Sequence, residues 1–234
     1  MSATDEPGDS TASTRFGLPA PYQQRLHPEY FADATDDGIT WQPDVYPHAA
    51  NLARHLGRTV IIDIGCGRAG KLAALHQTEP NWHYIGVDFG PNITWCRGNH
   101  SFGEWIEADL EGCVVLPIPD ERMCEAVIVC SDVLEHLIRP DIAMAMMLTL
   151  ATVGRVAPVV LSTPAREHRA GAHYLGQPRN PAHVREWTST EFQTFVTASG
   201  FNIHDAHLTR SDDHSGGLTT LLATAYPAVR EQRR

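Results

Sequence analysis

The sequence predicts an α/β fold, a doubly wound, seven-stranded, mostly parallel sheet that ends in an antiparallel hairpin. Two observations lead there. Five short apolar runs alternate with helix-like segments between residues 59 and 164, the signature of strands joined by crossover helices that cover both faces of a parallel sheet. The last two apolar runs, FNIHDAHL (201–208) and LTTLLATAY (218–226), are separated only by TRSDDHSGG (209–217). A connection that short joins antiparallel neighbours.

Taken in order, residues 1–20 are rich in Ser, Thr, Asp, Gly and Pro and read as a flexible N-terminal tail. Residues 21–58 read as an arm followed by a helix over PDVYPHAANLARHLG (43–57). The main domain is expected over 59–226, with 227–234 as a C-terminal tail. Its parallel strands are TVIIDIG (59–65), HYIGVDF (83–89), GEWIEADL (103–110), AVIVCSD (126–132) and APVVLSTP (157–164). KLAALHQ, PNITWCRG and the Met-rich 142–153 suit the crossovers. A final helix opens on the capping box Thr188-x-x-Glu191 and places Phe192, Phe195 and Val196 on one face.

Composition narrows the function classes. The chain has 234 residues, 42% apolar and 20% charged, as a globular enzyme has. Its 18 Lys and Arg against 28 Asp and Glu give a formal charge of −10, which argues against a phosphate-backbone binder, and no nucleic-acid partner is expected. Lys71 is the single lysine. The five cysteines are odd in number, form no CxxC pair and read as buried thiols of a reducing compartment. The N-terminus shows no apolar signal region, and 142–153 is too short to span a bilayer. A cytoplasmic location without a membrane partner is therefore expected; oligomeric state is left open.

The chemistry begins at DIGCGRAG (63–70), where Gly65, Gly67 and Gly70 have the G-x-G-x-x-G spacing of a tight strand-to-helix turn that a ligand can approach closely. A nicotinamide dinucleotide uses the same spacing. Asp63, two residues before the first glycine, suits a ligand carrying an ammonium and a sulfonium better than a pyrophosphate. Asp88 closes the second strand, where an acid accepts from ribose hydroxyls. Asp109 closes the third, where a carboxylate can take an adenine amino proton.

DIGCGRAG, GVDF, EADL and SDVLEHL, in this order, resemble the class I S-adenosylmethionine-dependent methyltransferases over roughly residues 43–226. The resemblance implies their Rossmann-like fold and S-adenosylmethionine as cofactor. Asp63, Gly65, Cys66 and Gly67 would hold the methionine end, Asp88 the ribose, Asp109 and Leu110 the adenine with Phe89 against its ring, and Ser131 would border the donor. Amino-directed nucleic-acid methyltransferases carry Asn/Asp-Pro-Pro-aromatic after the fourth strand, where this chain has SDVL.

The acceptor is read from two stretches. Residues 165–188 hold four Arg and three His with Tyr174 and Trp187, a long connection better suited to function than to core. Arg166, His168, His173, Tyr174, His183 and Trp187 are the expected acceptor contacts, with Asp212, Asp213 and His214 of the hairpin loop on the same rim. Planar Arg forks beside aromatic platforms suit a carbohydrate or an anionic small molecule. The chain resembles actinobacterial sugar O-methyltransferases, including the methylmannose oligosaccharide type, in its Arg-rich usage. The leading expectation is therefore O-methylation of a sugar; a phenolic metabolite is the alternative. The rivals from other classes are an NAD-dependent oxidoreductase and a silent cofactor-binding module.

The second stretch is CSDVLEHL (130–137). His136 is expected first as general base for an acceptor hydroxyl. Its competing role is in a metal site of Asp132, Glu135 and His136. Ubiquinone-pathway and small-RNA 3′-end methyltransferases carry a similar Glu-x-x-Glu-His that ligates a divalent ion; Mg²⁺ is expected here, completed by His183 or His173. The structural reading makes Asp132 the N-cap and Glu135 the N3 residue of a helix.

Overall fold

A computed structural model describes residues 15–30, 33 and 38–228. The strands are β1 (Val60–Ile64), β2 (His83–Asp88), β3 (Gly103–Glu107), β4 (Ala126–Ser131), β5 (Val159–Pro164), β6 (Phe201–Arg210) and β7 (Leu218–Pro227). The helices are α1 (Val45–Leu56), α2 (Gly70–Thr78), α3 (Gly90–Asn99), α4 (Asp120–Cys124), α5 (Pro140–Val153), α6 (Arg166–Arg169) and α7 (Ser189–Ala198). The expected class holds: one seven-stranded sheet in the order β3-β2-β1-β4-β5-β7-β6. The β1–β5 pairings are parallel, and β7 runs antiparallel to both β5 and β6.

Central strands β1, β4 and β5 are buried along their whole length, as strands with helices on both faces must be. Alternation then sorts β1. Val60, Ile62 and Ile64 join the core shared with α5 and α7, whereas Ile61 joins the core shared with α1, α2 and α3. By the same period of two, Asp63 faces the α1 side, where a helix side chain can meet it. Helix α7 forms as its sequence dictates. The Thr188 hydroxyl accepts from the Glu191 N–H, and the Glu191 carboxylate accepts from the Thr188 N–H.

Two expectations change. Residues 15–20 are packed, not tail: Phe16 and Leu18 are buried in the core, and Phe16 sits edge-on to Phe195 of α7; the rest of the expected tail, 1–14, lies outside the described residues. Apolar side chains outweigh the polar composition of that stretch once α7 offers them a groove. The segment 132–137 is a turn, not a helix start. His136 N–H donates to the Val133 carbonyl at 3.0 Å, and α5 begins only at Pro140. Asp132 adopts a left-handed φ of 52° and caps no helix.

Candidate functional site

The strand order reverses between β1 and β4, and ligands of such sheets bind where strand carboxyl ends part. A cleft of about 1170 Å³ opens there. Gly65, Cys66, Gly67, Asp88, Phe89, Asp109, Leu110 and Ser131 all line it, as do Asp132, His136 and His183. Gly65 has φ +80°, and a Cβ there would collide with the Val133 side chain, so only glycine lets the loop touch the β4 turn.

Asp88 is fixed by the loop it serves. Its Oδ2 accepts from Gly67 N–H at 2.8 Å and its Oδ1 from Phe89 N–H at 2.7 Å. Burial pushes its carboxyl up, opposed by those two bonds. Each oxygen keeps a further lone pair for a ligand hydroxyl. Phe89 is exposed, with Tyr30 of the arm edge-on at 5.3 Å. Asp109 lies two residues beyond β3, and its Oδ1 accepts from Glu111 N–H in a local turn.

Asp63 lies beneath the lining rather than in it, 1% exposed. Its Oδ2 accepts from the Tyr46 hydroxyl at 2.8 Å, while Oδ1 is buried with no hydrogen-bond partner. Burial raises the Asp63 carboxyl to about 7, against a lowering by Tyr46 and Lys71. The Lys71 ammonium reaches the cleft beside it, donating to Gln42 Oε1 at 2.8 Å and lying over the Tyr46 ring. An unpaired carboxyl oxygen near the lysine ammonium is complementary to a zwitterionic amino acid.

That pair predicts a pH dependence. Below pH 7 Asp63 holds a proton; if it receives the ammonium of S-adenosylmethionine, that proton has to leave on binding, and affinity should rise as pH is raised from 6 to 8. Calorimetry in buffers of different ionisation enthalpy should show proton release on binding. The folded value lies above the unfolded 3.8. In the cofactor-free protein this contribution therefore favours folding at low pH and is lost as pH rises towards 7.

Glu135, His136 and His183 converge at the other end, with one ligand atom from each within 4.8 Å of the others. Glu135 is fully buried; Thr163 donates to its Oε2 at 3.2 Å, and its Oε1 has no hydrogen-bond partner. Burial and the Asp132 charge hold its carboxyl well above the usual range. His136 Nδ1 bonds the Ala182 carbonyl at 3.0 Å, and His183 Nδ1 bonds Glu186 Oε1 at 2.8 Å. A carbonyl only accepts, so His136 carries its proton on Nδ1 and its lone pair on Nε2. Burial, then His183, pushes His136 down to about 3. It is neutral across the working range.

Asp132 belongs to a different network from the one expected. Its Oδ1 accepts from Ser162 Oγ at 2.9 Å and its Oδ2 from Gln42 Nε2. It is absent from the converging group, which His183 completes in its place. His173 is exposed and lies outside the cleft lining.

Two of the six expected acceptor contacts hold the arm instead. Arg166, 1% exposed, pairs with Glu191 at 2.6 Å and lies over the Tyr22 ring. Trp187 is fully buried, stacked on Phe195, and donates to the Phe16 carbonyl at 2.9 Å. His168 and Tyr174 are exposed and outside the lining, as His173 is. Of the six, only His183 faces the cleft. Asp212 is engaged with its own hairpin turn through Ser211, His214 and Ser215, and Asp213 accepts from Thr40 N–H. A Trp187→Phe variant should lose about 1–3 kcal/mol of stability, because the Phe16 carbonyl is left unpaired in the core. Denaturant unfolding would check this.

The lining residues that the motifs do not mark include Tyr30, Trp41 and Gln42 from the arm, Lys71, and Arg169 and Asn180 from 165–188. Among them only Lys71 stands out in the sequence, as the single lysine.

A family model described as a methyltransferase domain matches residues 41–206. No curated protein sequence matches the chain. Among solved structures, the chain resembles the small RNA methyltransferase HEN1 with a TM-score of 0.59 at 16% identity, covering 87% of this chain and 27% of that one. It resembles the [4+2]-cyclase SpnF with a TM-score of 0.59 at 14% identity, covering 88% of each chain. The Burkholderia thailandensis 1,6-didemethyltoxoflavin-N1-methyltransferase, solved with its substrate and S-adenosylhomocysteine, gives 0.56 at 18% identity over 80% of both chains. Likeness at such identities speaks for the fold, which hosts several chemistries. The family match spans most of the sheet and every motif of the cleft. The chain belongs to the methyltransferase-domain family and is an S-adenosylmethionine-dependent methyltransferase of the class I type.

Proposed function

We propose that the chain transfers the methyl group of S-adenosylmethionine to a hydroxyl oxygen of a small polyhydroxylated acceptor, with a sugar as the leading class. One observation carries the oxygen assignment. Two imidazoles that line the cleft, His136 and His183, meet a carboxyl, Glu135, buried behind the lining beside the β4 end, where the donor methyl of such folds lies. Transfer from a sulfonium is an in-line displacement, so the protein has to align the acceptor and dispose of its proton. A hydroxyl is the acceptor that needs that help.

In this reading Asp88 accepts the ribose hydroxyls, and Asp63 with Lys71 receives the ammonium and carboxylate of the methionine end. Asp109 and Leu110 border the adenine with Phe89 against its face. The backbone of 65–67 closes on the ligand, and Ser131, bonded to Ser162, fixes the wall nearest the sulfonium. Tyr30, Trp41, Gln42, Arg169 and Asn180 surround the remaining space. Aromatic faces next to amide and guanidinium donors suit stacked, hydroxyl-rich rings.

The cluster also fits a divalent cation. Glu135 Oε1 is an orphaned buried oxygen, and both imidazoles are anchored through Nδ1 by an acceptor, the arrangement that turns Nε2 towards a metal; at His183 an ion would have to displace the Asn180 amide, which donates to Nε2 at 3.0 Å. Glu135, His136 and His183 would hold the ion. Two nitrogens and one oxygen suit a first-row transition ion such as Mn²⁺ better than Mg²⁺, which prefers all-oxygen sites. Bound there, the ion would supply Lewis-acid polarisation of the acceptor hydroxyl. His136 then serves as ligand, and its low proton affinity suits that role better than that of free base.

The test is a panel of neutral sugars, catechols and carboxylates with labelled S-adenosylmethionine, run after chelation and again with Mn²⁺ or Mg²⁺ restored. Sugar methylation that returns with the cation is expected. Turnover indifferent to chelator removes the cation, and methylation confined to catechols or carboxylates removes the sugar.

A further inference from the structure

Cys66 and Cys96 form a thiol pair in the wall of the cofactor cleft. Cys66 is the middle residue of the glycine loop and lines the cleft, while Cys96 is fully buried on α3. Both sulfurs turn to one atom: Cys66 Sγ–H donates to the Gly67 carbonyl at 3.6 Å and Cys96 Sγ–H to the same oxygen at 3.3 Å. Neither is in a disulfide.

The surroundings keep the Cys66 sulfur in this seat. Gly86 lies on buried strand β2, a poor place for glycine, yet a Cβ there would stand 2.6 Å from the Trp105 ring and 2.8 Å from Cys66 Sγ. The bare backbone at Gly86 thus leaves the space that the sulfur and the Trp105 ring share. On α3, Asn92 lies one turn before Cys96, lines the same cleft and accepts from the Asp33 N–H. The two sulfurs therefore link the two walls of the cofactor slot, the glycine loop and α3.

We propose that Cys66 and Cys96 are a redox modification site, closed to a disulfide by a peroxide, which switches off cofactor binding. The cleft-facing Cys66 sulfur attacks the peroxide, its S–O bond forms as the O–O bond breaks, and the first water leaves. The Cys96 sulfur then attacks that sulfenyl sulfur, the S–S bond forms, and the S–O bond breaks to release a second water. Two thiols lose two electrons and two protons, and one hydrogen peroxide becomes two waters.

The effect on the cofactor follows from packing. A disulfide brings two sulfurs to about 2 Å, well inside van der Waals contact, so Cys66 must leave its seat against Gly86. The loop has no slack to absorb this, because Gly65 already packs on Val133 and Gly67 N–H is held by Asp88. The loop amides and the Asp88 carboxylate then move together, out of the geometry a cofactor needs.

The experiment uses the full chain and diamide, which takes two hydrogens from a thiol pair and leaves no oxygen on a single sulfur. Affinity for S-adenosylmethionine is read by calorimetry, and bridges by peptide mapping without reductant. The expected result is a Cys66–Cys96 cross-linked peptide and at least tenfold weaker binding, restored by dithiothreitol. S-adenosylhomocysteine present during oxidation should suppress the bridge. Cys96→Ala, or Cys96→Ser if alanine impairs folding, should keep its affinity through the same treatment. A bridge elsewhere, unchanged affinity in the cross-linked protein, or an equal loss in the Cys96 variants would overturn the proposal. None of these readings requires the acceptor to be known.

Discussion

Glu135→Gln should lower kcat/KM by about a hundredfold to a thousandfold, the range for losing one electrostatic contact to the reacting oxygen, with S-adenosylmethionine affinity within a factor of two. The substitution is nearly isosteric, and the Glu135 carbonyl still receives Val184 N–H at 2.7 Å. What disappears is the only carboxylate in the converging group. His183→Ala should match it, since it removes one of the two imidazoles and leaves Glu186 without its partner. Steady-state kinetics alongside calorimetry separates the two quantities. If both variants turn over like the parent, the cluster has no part in the reaction.

Asp88→Ala should weaken S-adenosylmethionine binding by about a hundredfold or more. Two hydrogen bonds from ribose hydroxyls to a carboxylate contribute about 1.5–3 kcal/mol each. The substitution also frees Gly67 N–H and Phe89 N–H, which now take their direction from that carboxylate. Asp88→Asn should fall between, because it keeps one acceptor and the shape. A calorimetric Kd close to the parent's in the alanine variant would show that the ribose is held elsewhere.

The sheet was legible because its signals are local. Each strand of the central sheet is an apolar run bounded by turn residues, and Thr188-x-x-Glu191 marks the start of α7 in its own side chains. That Asp88, Gly65 and Gly67 would share one cleft was legible for a related reason: they sit at strand ends, which the sheet brings to one edge. The acceptor end was not. Arg166, Arg185 and Trp187 look like ligand-binding residues in sequence, but the N-terminal segment supplies their partners. Arg185 donates to Gln24 and lies over Phe16, 169 positions away in sequence. Tertiary contacts of that span leave no local trace.

The same limit explains Asp132 and Glu135. Their spacing fits a capping box, but Asp132 takes a left-handed conformation and gives its oxygens to Gln42 and Ser162. Gln42 itself has φ 46°, so both partners of this hydrogen bond hold backbone conformations that local preference disfavours. His183 could be named as a partner for His136 from the family pattern. Choosing it over His173 required the fold.

The central claim is that this cleft delivers a methyl group to a hydroxyl oxygen at the Glu135–His136–His183 end. Its most direct test is carbon-13 NMR of the product formed from methyl-labelled S-adenosylmethionine and neutral sugars, with Mn²⁺ present. A methoxy resonance that vanishes with Glu135→Gln is the predicted result. A labelled N-methyl or C-methyl product, or a methoxy product undiminished in that variant, would contradict it.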